Sequence, residues 1–333
     1  MVATLNVGGG DGGPAGIPQG AGGVSPEILL ERNDAADLAQ KEPVDAYLAL
    51  FEENGQETGP PVLEPTVLPD GTKQFELTAE IAQWEVEPGR TVAAWTYNGM
   101  VPGPTMKVQP GERVRVVLHN DLPQSTSIHW HGVDTPNAMD GVPWVTQDPV
   151  LPGESFTYEF VAASPAVGMY HSHHHAEHQV PDGLVGAFLV GDVPVPAGQP
   201  GVDQEIPMVL NDAGVIGLSL NGRSFPGTRP IVAAAGETVE IHYYNEGLQI
   251  HPMHLHGVPQ LVIAKDGFPL PQPYRVDTLN VAPGERYTVL VTPTEEHRGA
   301  NGAPGIWAFH CHILTHAESD DGMFGMVTTF IVT

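Results

Sequence analysis

The chain repeats itself, and the repeat limits what it can fold into. QPGERVRVVLHN at 109–120 is answered by AAGETVEIHYYN at 234–245, HWHGV at 129–133 by HLHGV at 254–258, and LPGESFTYEFV at 151–161 by APGERYTVLVT at 282–292. YHSH at 170–173 is answered by FHCH at 309–312, and GLVGAFLV at 183–190 by GMFGMVTT at 322–329. The offset is 125 residues between His129 and His254, and 139 between His171 and His310. One structural unit must therefore be built twice. The repeated runs are short, rich in β-branched and aromatic residues, and cut by Pro-Gly and Asn-Gly turns, which is the texture of a β-sandwich or barrel.

The expected organisation is all-β, with two tandem domains over 70–193 and 203–333 joined by GDVPVPAGQPG. A partly helical, Gly- and Pro-rich extension over 1–69 precedes them. Within that extension, residues 1–24 read as a Gly-rich linker. A helix is expected from an N-cap at Ser25 through Ala39, ended by Pro43, with a second short helix over 44–53. The extension carries no expected catalytic role and is free to pack on the body or on a neighbouring subunit.

With 333 residues, 13 basic and 40 acidic side chains and a net charge of −27, the chain lacks the basic surface that nucleic acid requires. It contains no run of 18 apolar residues, so no membrane-spanning helix is expected. No signal peptide is recognisable at the N-terminus, and an extracellular or periplasmic setting is the expected location.

Histidine and cysteine carry the chemistry. Four HxH units stand at repeat-matched places: His129-Trp-His131, His171-Ser-His173, His254-Leu-His256 and His310-Cys-His312. On a strand, residues i and i+2 share a face, so each unit aims two imidazoles one way and the residue between them the other way. Eight imidazoles can hold three metal ions as two, three and three. Cys311, the only cysteine, then faces into its own domain, and His251, His316 and Met323 are the nearby donors. Two histidines, a cysteine and a weak thioether form the blue-copper set. Zinc is the chemical rival, since imidazole and thiolate suit it too, but it has no evident use for paired-histidine clusters beside an axial methionine. A metal at Cys311 should lie roughly 10–13 Å from the histidine-bound ions across one strand residue.

With HWHG, HSH, HPMHLHG and HCHILTH in this order, the chain resembles the multicopper oxidases over residues 72–333. Its two cupredoxin-like Greek-key domains are similar to those of the bacterial two-domain small laccases. The resemblance implies four coppers per chain. Type 2 copper would sit on His129 and His254, and the type 3 pair on His131, His171, His173, His256, His310 and His312. A type 1 copper would sit on His251, Cys311, His316 and an axial Met. The family usually places that axial residue five positions after the last histidine, which here is Asp321. Aligning the Gly-Met step gives Met323, with Met326 as the lesser candidate.

The resemblance further implies oxidation of a small reductant, phenolic or similar, with O2 reduced to water. Electrons would enter at His316 and cross Cys311. Asp140, or secondarily Asp134, would supply protons, and a homotrimer would join domain 1 of one chain to domain 2 of the next. Oxidation of Cu(I), Fe(II) or Mn(II) is the alternative. Copper nitrite reduction and a non-catalytic copper protein are less favoured. By the repeat offsets, Thr126, Ser172, Glu177 and Leu184 stand in domain 1 where domain 2 has His251, Cys311, His316 and Met323. His174, His175 and His178 extend the first-domain motif and are expected to support the cluster or an interface. His119, His242 and His297 are expected to be structural or solvated.

Overall fold

Alternation sets the strands. In β5 (Arg113–Asn120), Val114, Val116 and Leu118 are buried, while Arg113 and Arg115 between them are not, so one face meets the core. The computed structural model describes residues 37–50 and 55–333. In the first sandwich, one sheet runs β1 (Thr66–Val67), β2 (Lys73–Glu87), β5 and β7 (Ser155–Val161), with β3 (Arg90–Tyr97) also on β2. The facing sheet runs β4 (Gly103–Val108), β9 (Val185–Val190), β8 (Ala166–His171) and β6 (His129–His131). Trp130 fills the space between them, packed on Tyr158, Phe160 and Phe188.

The second sandwich repeats the plan. One sheet runs β11 (Gly217–Leu220), β10 (Gln204–Ala213), β13 (Val239–Asn245), β18 (Arg286–Val291), β15 (Gln260–Lys265) and β16 (Phe268–Val276). The other runs β12 (Ile231–Ala233), β22 (Val327–Val332), β19 (Gly305–Cys311), β14 (His251–Leu255) and β17 (Thr278–Val281). A two-stranded hairpin, β20 (Glu318–Ser319) with β21 (Gly322–Met323), stands apart from both sheets. Among the described residues the fold is all-β apart from two helices, α1 over 37–50 and α2 (Ala176–Gln179), and short 3-10 turns.

The loop leading to each HWH or HLH is also built twice. The Asn120 side-chain amide donates to the carbonyls of Gln124 and Val150, and its Oδ1 accepts from the Leu122 N–H. Asn245 donates to Gln249 and Val281 and accepts from Gly247 in the same way. These bonds satisfy buried backbone groups that would otherwise be orphaned, and they fix where β6 and β14 begin.

The two sandwiches share a core of their own. Val167, Met169 and Leu189 of the first pack against Tyr244, Ile263 and Leu290 of the second. Arg286 crosses this seam, its Nε donating to the Val167 carbonyl at 2.9 Å. Its guanidinium lies against Gly132, where a Cβ would stand only 2.3 Å from Nη2. Only glycine allows that approach.

Helix α1 departs from expectation, because it runs through Pro43 instead of ending there. Proline removes one backbone bond and costs about 3 kcal/mol in a helix interior. Packing offsets it: Tyr47 is buried against Phe225, and its hydroxyl bonds Thr328 and Thr329. The extension thus docks on the second sandwich, beside Ala317. The expected Gly-rich linker over 1–24 and the helix beginning at Ser25 lie outside the described residues, apart from that helix's last three positions, which fall in α1.

Candidate metal centres

Register brings each histidine quartet together. Strands β6 and β8 pair His129 with His171, and β14 and β19 pair His254 with His310. In the first quartet, the His129 ring lies 5.8, 5.4 and 5.2 Å from those of His131, His171 and His173, centroid to centroid. In the second, His254 lies 4.7, 5.6 and 5.4 Å from His256, His310 and His312. His171 and His310 likewise meet the other three rings of their quartets, so each quartet closes as a set. Among the described residues, no such ring contact joins one quartet to the other.

The tautomers are latched in parallel. His129 Nδ1 donates to the Asp140 carbonyl at 2.8 Å, and His254 Nδ1 to the Asp277 carbonyl at 3.0 Å. His171 Nδ1 donates to the Ser172 carbonyl and His310 Nδ1 to the Cys311 carbonyl, both at 2.9 Å. A proton held on Nδ1 leaves the Nε2 lone pair free for a metal, and a carbonyl in that role both orients the ring and raises its basicity. His256 Nε2 and His310 Nε2 face each other at 3.2 Å, as two donors to one cation would. Burial holds His131 down at about 3 and His171 at about 4, with Arg286 adding to the fall in each. Both rings are neutral at pH 7, the form that binds metal.

The residues between the pairs point inward, as strand geometry requires. Trp130, Ser172, Leu255 and Cys311 are all buried. Cys311 Sγ lies 3.8 Å from His251 Nδ1 and 3.7 Å from His316 Nδ1. An ion about 2.3 Å from a sulfur and about 2.0 Å from nitrogens in a trigonal plane would separate S from N by roughly 3.7–3.8 Å, so this pocket fits a metal without rearrangement. Burial pushes the thiol up to about 11 and His251 down to about 4 in the metal-free chain.

The two candidate methionines differ in burial. Met323 is 42% exposed on the β20–β21 hairpin, whereas Met326 is fully buried in the same core cluster as Cys311. Met326 is pinned to both ligand segments: its carbonyl accepts from the Cys311 N–H at 3.0 Å, and its N–H donates to the His316 carbonyl at 2.9 Å.

The two candidate acids also separate. The Asp140 carboxylate stands 3.4 Å from His129 Nδ1, while Asp134 is exposed on the loop after β6. The Asp140 loop lies so close to β6 that a Cβ on Gly141 would stand 1.7 Å from the Ile128 carbonyl oxygen. His119 bonds Ser155 and Glu76, buried His242 bonds Thr288 and Glu205, and His297 caps a 3-10 turn.

Three groups had no signal in the sequence. The Asp212 side chain is fully buried near the end of β10, with Oδ2 3.6 Å from His251 Nε2. Glu246 of the second sandwich brings a buried carboxyl within 4.8 Å of a ring nitrogen of both His131 and His171, and burial raises it to about 8. Gln179 occupies the counterpart of the Cys311 pocket. Its Oε1 accepts from Ser172 Oγ at 2.6 Å and Thr126 Oγ1 at 2.9 Å. The repeat offset had pointed to Glu177, which lies exposed.

Comparison with known proteins shows the family of the chain. Two sequence profiles described as multicopper oxidase match residues 78–194 and 200–332. The crystal structure of the blue copper oxidase from Nitrosomonas europaea is 30% identical, with a TM-score of 0.71, over 78% of this chain and 86% of that one. The iron transport multicopper oxidase of Gibberella zeae is 44% identical over 118 residues, 34% of this chain and 18% of that protein. Laccase-2 of Botryotinia fuckeliana is 27% identical over 76% of this chain and 48% of its own length. The chain thus spans less than half the length of these curated relatives.

Proposed function

Because the chain belongs to the multicopper oxidase family, with copper as its cofactor, we propose that it is a laccase-like oxidase. In this reading it couples one-electron oxidation of phenols or similar small reductants to reduction of O2 to water. One observation carries it: a Cys-His-His pocket stands back to back with a latched histidine quartet, and the repeat supplies a second quartet. Electron transfer alone needs only the pocket.

His251, Cys311 and His316 would hold a type 1 copper, with Met326 in place of Met323 as the axial thioether. His129 and His254 would hold type 2 copper. His131, His171, His173, His256, His310 and His312 would hold the type 3 pair, giving four coppers per chain. When bound, copper would supply the one-electron chemistry that links the reductant to O2. The chain's residues set the conditions. The carbonyl latches keep Nε2 of the latched rings unprotonated, and the buried pocket keeps water from Cys311. Asp140, beside His129, is placed to hold a proton near the first quartet.

Each chain carries two separate half-sites, and His173, His256 and His312 are exposed. A homotrimer in which the first quartet of one chain meets the second quartet of the next would complete them. No described helix is long and apolar enough to cross a membrane, and we place the protein outside the cytoplasm.

A second reading, oxidation of Fe(II), Cu(I) or Mn(II), draws on the exposed carboxylates of Glu318, Asp320 and Asp321 in the hairpin just after His316, beside the Met323 thioether. O2 uptake with a phenol against Fe(II) and Cu(I), alongside a copper count and mass in solution, tests both. Uptake with the metal ions only would replace the first reading by the second. Fewer than four coppers per chain in active enzyme would break the ligand assignment, and a fully loaded active monomer would refute the trimer.

A further inference from the structure

Helix α2 looks two ways. Gln179 faces inward and closes the hydroxyl network with Thr126 and Ser172. His175, Glu177 and His178 are exposed or half-exposed on its other side. One ring nitrogen from each histidine and one carboxylate oxygen of Glu177 lie within 4.8 Å of one another. We propose that these three side chains form a surface site for a first-row divalent transition-metal ion such as Zn2+ or Cu2+, separate from the copper centres.

The backbone presents the set. His175 takes a left-handed conformation with φ of 54°, which a side chain as large as histidine adopts at a cost. Its carbonyl then accepts from the N–H groups of His178 at 3.2 Å and Gln179 at 3.0 Å. That closes a single turn on which residues three apart share a face. The His175 and His178 rings stand nearly parallel, 16° apart, with centroids 6.0 Å from each other.

His178 is oriented from behind. Its Nδ1 lies 3.9 Å from Asp182 Oδ2, and Oδ1 of the same carboxylate is fixed by the Val215 N–H at 2.7 Å. The Trp95 ring meets it edge-on at 5.3 Å. A carboxylate behind one ring nitrogen, leaving the other for the ion, is how metal-binding histidines are supported. Donors around Zn2+ at about 2.0–2.2 Å stand roughly 3.4 Å apart, so the three need close by only about an ångström, within reach of exposed side-chain rotation. Two imidazoles and a carboxylate suit Zn2+, Cu2+ or Ni2+, whereas Ca2+ and Mg2+ prefer oxygen. The repeat accounts for the opportunity. In the second sandwich the matching turn, Leu314–His316, commits its histidine inward to Cys311. In the first, Gln179 fills the interior and the histidines are left facing out.

The test is calorimetric titration of ZnCl2 into dialysed protein holding no more than four coppers per chain, with copper content checked before and after. One Zn2+ per chain is expected, with copper content unchanged. His178→Ala should weaken binding by 100-fold or more, and Asp182→Asn by about 10-fold, the usual effect of removing such a support. His175→Ala and Glu177→Gln alter exposed side chains only. They carry the test if His178→Ala disturbs folding through its contact with Trp95. Absence of zinc binding in the unaltered protein, or equal binding by the His175→Ala and Glu177→Gln proteins, would overturn the proposal.

Discussion

The two sandwiches share every latch and differ in one pocket. In both, the leading histidine of the first HxH donates Nδ1 to a loop carbonyl, and that of the second HxH donates Nδ1 to the carbonyl of its own middle residue. Behind that middle residue they part. The first sandwich has Thr126, Ser172 and Gln179 bonded to one another, with Gln179 Nε2 donating to the Ser125 carbonyl. The second has His251, Cys311 and His316, and it leaves His251 Nε2 and Asp212 Oδ2 buried without hydrogen-bond partners. Unpaired buried polar groups cost about 1–3 kcal/mol each. Those two atoms face each other at 3.6 Å on the far side of the His251 ring, while Nδ1 of His251 and of His316 stand 3.8 and 3.7 Å from Cys311 Sγ, so one pocket is closed by its own hydrogen bonds and the other sets two nitrogens and a sulfur at the spacing of ligands around one ion. The difference separates a stabilising interior from a metal-ready one on the same backbone plan.

The largest effect should come from Cys311→Ser, which turns the second pocket toward the first. Oxidase activity should fall on the order of 10³-fold or more, since the metals carry the redox chemistry. Copper content should drop by one per chain and the blue absorption should vanish. Anaerobic spectra and metal analysis check this. Retained blue colour would mean that the pockets do not differ in the way described.

Acid should expose both sites in the copper-free chain. Burial holds His131 near 3, His171 near 4 and His251 near 4, against about 6.5 in an unfolded chain. Between those values the unfolded state binds more protons, so stability is fully present above about 6.5 and is lost as pH falls toward 4. Denaturant midpoints of apoprotein from pH 4 to 7 should rise with pH. His131→Gln should flatten that slope through the first sandwich and His251→Gln through the second. A slope unchanged by either variant would remove these histidines from the acid response.

Much of this was legible in the sequence, because strand geometry has a period of two and the chain is duplicated. His129, His131, His171 and His173, and their counterparts, needed only those two facts to be grouped. Cys311 needed only its place between two of them. Counting along loops was the weaker guide. The Gly-Met step points to Met323, which the β20–β21 hairpin carries outward, whereas Met326 three positions on is buried. The 139-residue offset selected Glu177, but the α2 turn brings Gln179 inward. Asp212 and Glu246 gave no signal because tertiary packing alone sets them beside His251, and beside His131 and His171. Pro43 misled for the same reason, since the anchoring of Tyr47 outweighs a local helix stop.

The smallest effects belong to Ser172, and they define the comparison from the other side. Ser172→Ala removes one donor to Gln179 Oε1 while Thr126 remains, so the loss should be about 1 kcal/mol in denaturant unfolding. Copper content and colour should not change, because the His171 latch uses the backbone carbonyl of residue 172 and not its side chain. Ser172→Cys restores the thiol without the imidazoles. Thr126 Oγ1 and Gln179 Oε1 would surround it, and hard oxygen donors do not make a blue-copper set. The variant should therefore gain neither a copper nor a second blue band. If it gains either, a cysteine alone can recreate the pocket, and the histidines at 251 and 316 matter less to the difference between the sandwiches than their geometry indicates.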